Sequence, residues 1–354
     1  MKVITCAGYY GSGSSAVLDL VSEYRNVQQC DDFEFRFLHD VDGVTDLEYH
    51  LVDYHNRHNA GHALKRFEKL AKFNNGNIFL PRYSKYFGDN YANITKRYID
   101  RLKDFDYRGW WFYDIYDKGT FWYYILMLLE HFVNKISRKE VSIFDRELIY
   151  CSHPTRDQFL SATRDYVSEL IKAINKTNSE YVALDQLVPS QNIDRVTRYF
   201  REQIYVIVVS RDPRDVYISN EIFWKSRVCP RHDVKKFCQW FRYTMESGST
   251  QLIDGNEQYK GILSIRFEDL IYDYEESVKS IERFTGLTSV NHYLKFDKFN
   301  PKRSVFNTKI WRKYPEFSSD IEYIENELKE FLFDFDQHDE CSVCGIDSLD
   351  KYVF

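Results

Sequence analysis

The chain has 354 residues, with 48 basic against 54 acidic side chains and a net charge of −6. That balance excludes a general nucleic-acid binder, which needs a basic excess to meet phosphates. Scarce Gly (14) and Pro (7) exclude collagen-like or disordered chains, and 44% hydrophobic residues can bury a sizeable core. Any polyanion must therefore meet a local basic site.

In chain order, the opening MKVITCAGYYGSG reads as a buried strand running into a glycine-rich turn, with no apolar signal region and no cleavage site. The strand is expected over Lys2 to Ala7, the loop over Gly8 to Ser15, and then a helix with Val17, Leu18, Leu20 and Val21 at helical spacing. This arrangement aims backbone N–H groups and a helix N-terminus at a phosphate. A second strand is expected around Val27 to Cys30 or Phe33 to Leu38. From about Asp40 to Asn178 the text turns rich in aromatics, His and alternating charge, with a helical pattern and a hinge-like Gly109 to Trp111. Its most apolar run, Phe121 to Leu129, is far short of the roughly 20 residues a spanning helix needs and reads as a core helix segment.

Strand and helix alternation returns with a strand at Tyr181 to Leu187 and an amphipathic helix at Asn192 to Phe200. The strongest buried strand follows, Ile204 to Val209. A further strand is expected at Lys260 to Arg266, and a helix from about Tyr274 to Phe284 that Gly286 closes. The fold class is α/β, a three-layer core like that of P-loop proteins around a mostly parallel sheet, with a largely helical insertion. We expect one domain over 1–354: a donor-binding core at 1–40 and 181–290, an insertion at 41–180 on the acceptor side, and a C-terminal basic loop and helix at 291–354. Seven cysteines form no even-numbered framework, which suits a reducing cytoplasm. Cys341 and Cys344 make a lone CxxC, a weak zinc signal beside unpaired thiols.

Gly8 and Gly13 have the spacing of a nucleotide-triphosphate loop, but Ser14 stands where that motif requires Lys. The loop then suits a lone phosphate or a phosphosulfate held by backbone donors and the hydroxyls of Ser12, Ser14 and Ser15. A Gly/Ser turn before an ordinary helix would read the same way. Arg211 begins Arg-Asp-Pro-Arg-Asp at the carboxyl end of the strongest strand, where open α/β sheets bind ligands. Ser219, two turns into the next helix, can share one phosphate with Arg211. The competing reading is a surface turn and a solvated helix face.

The glycine/serine loop, an apolar strand ending in Arg211-Asp212-Pro213, and Ser219 eight residues after that Arg resemble the sulfotransferase family, whose donor is 3′-phosphoadenosine 5′-phosphosulfate (PAPS). The stretch Ile265-Arg266-Phe267-Glu268-Asp269-Leu270 with Phe284-Thr285-Gly286-Leu287 is similar to that family's later strand and helix. The resemblance covers roughly Met1 to Leu38 and Tyr181 to Leu287. It implies that Gly11, Ser12, Gly13, Ser14 and Ser15 hold the 5′ end of PAPS, and that Arg211 and Ser219 hold its 3′-phosphate. It also implies a late basic loop over that phosphate, here Lys302, Arg303, Lys309, Arg312 and Lys313, with Arg303 the expected contact; a solvated basic stretch is the competing reading. The chain departs from the family at Gly11, where many relatives carry Lys or Arg, so another cation such as Arg36 or Lys65 must substitute, or the chemistry is slow or lost.

Relatives acting on sugars often place a Glu base on the strand after the first helix, and Phe33-Glu34-Phe35-Arg36-Phe37-Leu38 lies at nearly the same distance from the loop. Alternation turns Glu34, Arg36 and Leu38 to one side. Glu34 is the expected base and Arg36 its neighbouring cation, against an ordinary charged strand-end pair. His39, Asp40 and Asp185 are held in reserve. His55, His58 and His62 can share a helix face, read as a polar face or acceptor contact ahead of a metal site.

The expected function is a cytoplasmic, metal-independent, PAPS-dependent sulfotransferase. Its expected acceptor is a hydroxyl on a carbohydrate that stacks on Trp110, Trp111, Tyr113, Tyr116, Trp122 and Tyr123. The rivals are a catalytically silent nucleotide- or partner-binding module and, further off, a P-loop kinase. No nucleic-acid partner or membrane span is expected, and oligomeric state is not legible.

Overall fold

The computed structural model describes residues 1–111, 113–137, 142, 146–225, 228–246 and 259–337. Two compact units form, Met1–Leu38 with Ile171–Phe354, and His39–Leu170. Cys341 and Cys344 lie outside the described residues.

The first unit is built on a five-stranded sheet. In chain order its strands are β1 (Lys2–Gly8), β2 (Val27–Glu34), β5 (Tyr181–Asp185), β6 (Gln203–Ser210) and β7 (Tyr259–Arg266); β3 and β4 belong to the second unit. The spatial order is β2-β5-β1-β6-β7 and every pairing is parallel. This is the α/β class with a parallel central sheet that the alternating pattern predicts. β1 and β5 are buried nearly throughout, which is why they read as continuous apolar runs and not as alternating ones. On one face, Ile4, Cys6, Ala183, Ile207, Val209 and Ile265 pack with Val17, Leu18 and Val21 of the helix Ser14–Ser22. Val278 and Ile281 of the helix Tyr274–Thr285 join the same cluster. Gly286 closes the latter helix in the left-handed conformation, φ 80°, as its position predicts.

The strand order explains where a site can form. After β1 the chain crosses toward β5 and β2; after β6 it crosses the other way, to β7. Two loops leaving the same sheet edge in opposite directions open a crevice between them. Those two loops are Gly8–Gly13 and Arg211–Asp212.

The second strand is one element, β2, and not either of the two alternatives. Its pairing with β5 shifts register between Gln29 and Glu34, so it ends at Glu34. Beyond that point strict alternation fails: Glu34 and Arg36 are exposed, but Leu38 is buried beside Phe35 and Phe37.

The second unit is largely helical, as expected, with a strand pair besides. It contains an antiparallel pair, β3 (Phe105–Gly109) and β4 (Glu147–Cys151), so Gly109 ends a strand. Its helices Arg57–Asn75, Asn90–Leu102 and Arg156–Ile174 share an aromatic centre. There Tyr98 stacks on Tyr166 at 4.3 Å, and the Tyr98 and Tyr166 hydroxyls bond to Thr163 and Thr95. The apolar run at Phe121 is helical, within Thr120–Ser137, yet no residue of that helix is buried. The expectation of a core helix is therefore wrong. No helix among the described residues is long and apolar enough to cross a membrane.

Candidate active site

The loop after β1 is shaped by its neighbours. Gly11 (φ 71°) and Gly13 (φ 84°) are left-handed, and a Cβ on either would meet an aromatic ring at 2.6 Å, Trp224 for Gly11 and Phe267 for Gly13. The absence of a cation at Gly11 is thus fixed by packing, since a long side chain there would displace Trp224. Gly13 caps the helix Ser14–Ser22 with no side-chain acceptor, so the first N–H groups of that helix face the loop uncapped. The Ser12 hydroxyl is buried and has no hydrogen-bond partner among the described residues; Ser14 donates to the Asp185 carboxylate at 3.5 Å, and Ser15 is exposed.

Arg211 follows β6 and meets this loop. Asp212 caps the next helix by accepting from the Arg214 N–H, and Pro213 opens it, so the chain turns sharply and leaves Arg211 at the sheet edge. The Arg211 side chain donates to the Gly11 carbonyl at 3.3 Å and to the Asn307 carbonyl at 2.5 Å. Its guanidinium lies 4.8 Å from the Phe267 ring centre and 5.8 Å from that of Trp224. The same two rings therefore hold the glycine loop and the arginine. The helix Pro213–Ile218 widens into a π-helical turn, Ser219–Trp224, which carries Ser219 at its start and Trp224 at its end. Ser219 Oγ and Arg211 Nε are both buried without partners among the described residues.

The late basic segment is sewn onto this motif. Besides the Asn307 contact, the Lys309 and Ile310 N–H groups donate to the Asp215 carboxylate at 3.0 and 2.7 Å. Arg303 itself reaches back toward the Asp297 carbonyl at 3.4 Å. Trp224, Phe267 and Asn307 are not among the expected site residues, although Phe267 and Asn307 lie within the later strand motif and the basic segment that the sequence singles out.

At the far side of the same sheet edge, Glu34 sits in register with Asp185. The Phe35 N–H donates to the Asp185 carbonyl at 2.9 Å, so β2 ends beside the residue that Ser14 touches. Glu34 and Arg36 form a loose pair at 3.6 Å, each side chain about half exposed (51%). His39 and Asp40 fall in the second unit, as does Lys65, which is bonded to Glu147 at 2.9 Å. The histidines of that unit take aromatic partners: His55 stacks on His153, His58 on Trp111 and His62 on Tyr113. Among the described residues no group of three or more His, Cys, Asp or Glu is arranged to hold a metal ion.

Beneath Arg211 lie three buried carboxyls. Asp212 is bonded by Arg214 and by the Phe333 N–H, whereas Glu268 accepts the Asp212 N–H, at 2.9 Å. Burial, then the charge of Asp212, pushes the Glu268 carboxyl up to about 7 from an ordinary 4.5. Burial also pushes Asp215 up, against the pull of Arg211. Between those two values the folded chain keeps a proton that the unfolded chain has lost. The stability contributed by Glu268 should therefore fall by about 3 kcal/mol as pH rises from about 4.5 to 7. Glu268→Gln should reduce that slope and raise the denaturation midpoint above neutrality. Urea titrations of both proteins across about pH 5 to 8 check this, and an unchanged slope would exclude Glu268 as its source.

Two comparisons bear on identity. A search of curated proteins finds no match. The family model described as sulfotransferase domain matches residues 119–325, more than half of the chain, taking in Arg211, Ser219 and Glu268 and beginning downstream of the glycine loop. With that match over a parallel sheet whose glycine loop and strand-end arginine meet at the switch point, the chain belongs to the sulfotransferase family.

Proposed function

We propose that this protein moves a sulfuryl group from PAPS to a hydroxyl on a carbohydrate acceptor. The observation that carries the reading is the meeting of Arg211 with the Gly11 carbonyl. Around it, Ser12 Oγ, Arg211 Nε and Ser219 Oγ are buried polar atoms without partners among the described residues. Leaving such groups unsatisfied costs about 1–3 kcal/mol each, so a site of this kind fits an anionic ligand that fills them. Gly11 to Ser15 and the uncapped helix N-terminus would hold the 5′ end; Arg211 and Ser219 would hold the 3′-phosphate, with Arg303 on the segment beside them.

PAPS, when bound, supplies a sulfuryl group on a phosphate leaving group. Glu34 takes the acceptor hydroxyl proton as its oxygen bonds to sulfur and the bond to the 5′-phosphate breaks. The loop N–H groups and the helix N-terminus receive the charge that collects on that phosphate. Arg36, exposed at the same sheet edge, is the cation that stands in for the one missing at Gly11. A saccharide is supported by the second unit taken by itself. There a cavity of about 320 Å³ is walled by Asp42, Asp46, Asn59 and Arg66 together with Tyr113 and Tyr116. Hydrogen-bonding groups beside aromatic faces are what a polyol needs. Of the other aromatics, Trp111 is engaged by His58, while Trp110 and Trp122 are exposed. A cytoplasmic setting is supported by Cys6, Cys151, Cys229 and Cys238, which are free thiols among the described residues.

Calorimetry with 3′-phosphoadenosine 5′-phosphate, followed by transfer from labelled PAPS to a saccharide panel with and without EDTA, tests the reading. Binding and turnover should both appear, and both should survive chelation, because Ser14 occupies the position of the kinase Lys. Tight binding without turnover on any hydroxyl would favour the silent module that Gly11 keeps in contention. Activity lost to EDTA and restored by magnesium would point to the kinase reading, with Ser14 and Asp185 as the first ligands to examine.

A further inference from the structure

The helix Thr120–Ser137 is amphipathic in the wrong sense for a monomer. Its half-buried side carries Tyr123, Leu126, Glu130 and Asn134, and Ile125 is half-buried as well. The opposite side presents Phe121 (74% exposed), Leu128, Leu129, Phe132 and Ile136 (80% exposed) to solvent. At 3.6 residues per turn, Leu128, Phe121, Phe132, Ile125, Ile136, Leu129, Trp122 and Val133 fall within one band of about 140°, with no polar residue inside it. Single exposed apolar side chains are ordinary, whereas a contiguous band of this width marks a contact surface.

We propose that this band pairs with the same helix of a second copy of the chain. Spacing is the first argument. Trp122, Ile125, Leu129, Phe132 and Ile136 follow one another at intervals of three, four, three and four, the a and d positions of a two-helix seam. Phe121 and Leu128 flank that seam on one side and Leu126 and Val133 on the other. Area is the second argument. From the exposures of its own large apolar side chains, the band offers roughly 700 Å² of apolar surface, close to the about 800 Å² per partner of a standard stable interface. A lipid surface fits less well. Interfacial helices carry a polar face rich in Lys and Arg, and here that face holds Glu130, His131, Asn134 and one Lys, Lys135.

Sedimentation velocity on the full-length protein from about 1 to 100 µM is the primary test. Wild type should sediment with twice the mass of one chain. The double variant Leu129→Glu, Phe132→Glu should sediment as a monomer with an unchanged circular-dichroism spectrum. Should that variant not fold, Leu129→Cys keeps the face apolar at the middle of the seam. Under oxidation it should give a covalent pair that wild type does not form. A wild type that stays monomeric over the whole range overturns the proposal, as does a dimer that persists in the double variant. A monomer that co-sediments with phosphatidylglycerol vesicles also overturns it and assigns the face to lipid.

Discussion

Arg211→Ala is expected to weaken binding of 3′-phosphoadenosine 5′-phosphate by roughly 2–4 kcal/mol, about 30- to 1,000-fold in Kd. The estimate rests on the loss of a guanidinium fork that rings and backbone carbonyls already hold in place, so little ordering is left to do on binding. Arg211 is fixed by the Gly11 and Asn307 carbonyls and by Phe267, and its Nε is still unsatisfied. Adenosine 5′-phosphate, which lacks the 3′ group, should lose far less. The contrast between the two ligands matters because the substitution also cuts a tie to the glycine loop. Loosening of that loop would weaken both ligands alike, so equal losses would show that Arg211 positions the loop and does not read the 3′-phosphate.

The parts of this site that could be read in the sequence are those where backbone requirements dictate side chains. β1 and β6 are buried on both faces, so their apolar runs are continuous and their ends visible; Arg211 was legible because it is where that run stops. Gly11 and Gly13 were legible because rings lie where a Cβ would go. Asn307 was not, because it offers Arg211 a backbone carbonyl, which any residue has. Trp224 was not, because only the widening of the helix into a π turn brings it to Gly11, and no residue pattern announces that change. The β3–β4 pair escaped notice because Phe105–Tyr107 carry no buried face to impose alternation, and the partner strand lies beyond two helices. The helix Thr120–Ser137 was misplaced for a different reason. Composition reports how apolar a segment is but not which way its apolar side faces.

Glu34→Gln should lower turnover by about 10²–10⁴, the range for a lost general base, while leaving nucleotide affinity nearly unchanged. The geometry separates this outcome from a structural one. Glu34 is half exposed and its contact with Arg36 is long, 3.6 Å. A surface pair of this kind is worth at most about 1 kcal/mol, so the variant should melt close to wild type. A base must be deprotonated to act, so the acidic limb of the pH–rate profile should flatten in the variant, while a basic limb set by another group persists. A structural role predicts the reverse: a lower melting temperature, altered nucleotide binding and a modest change in rate per folded molecule. Thermal stability, nucleotide affinity and turnover measured on one preparation decide the matter. A variant that folds, binds and turns over within a few-fold of wild type would remove Glu34 from the mechanism. Asp185 would then be the first residue to test, since it adjoins Glu34 in register and already touches Ser14 of the loop, with His39 and Asp40 after it.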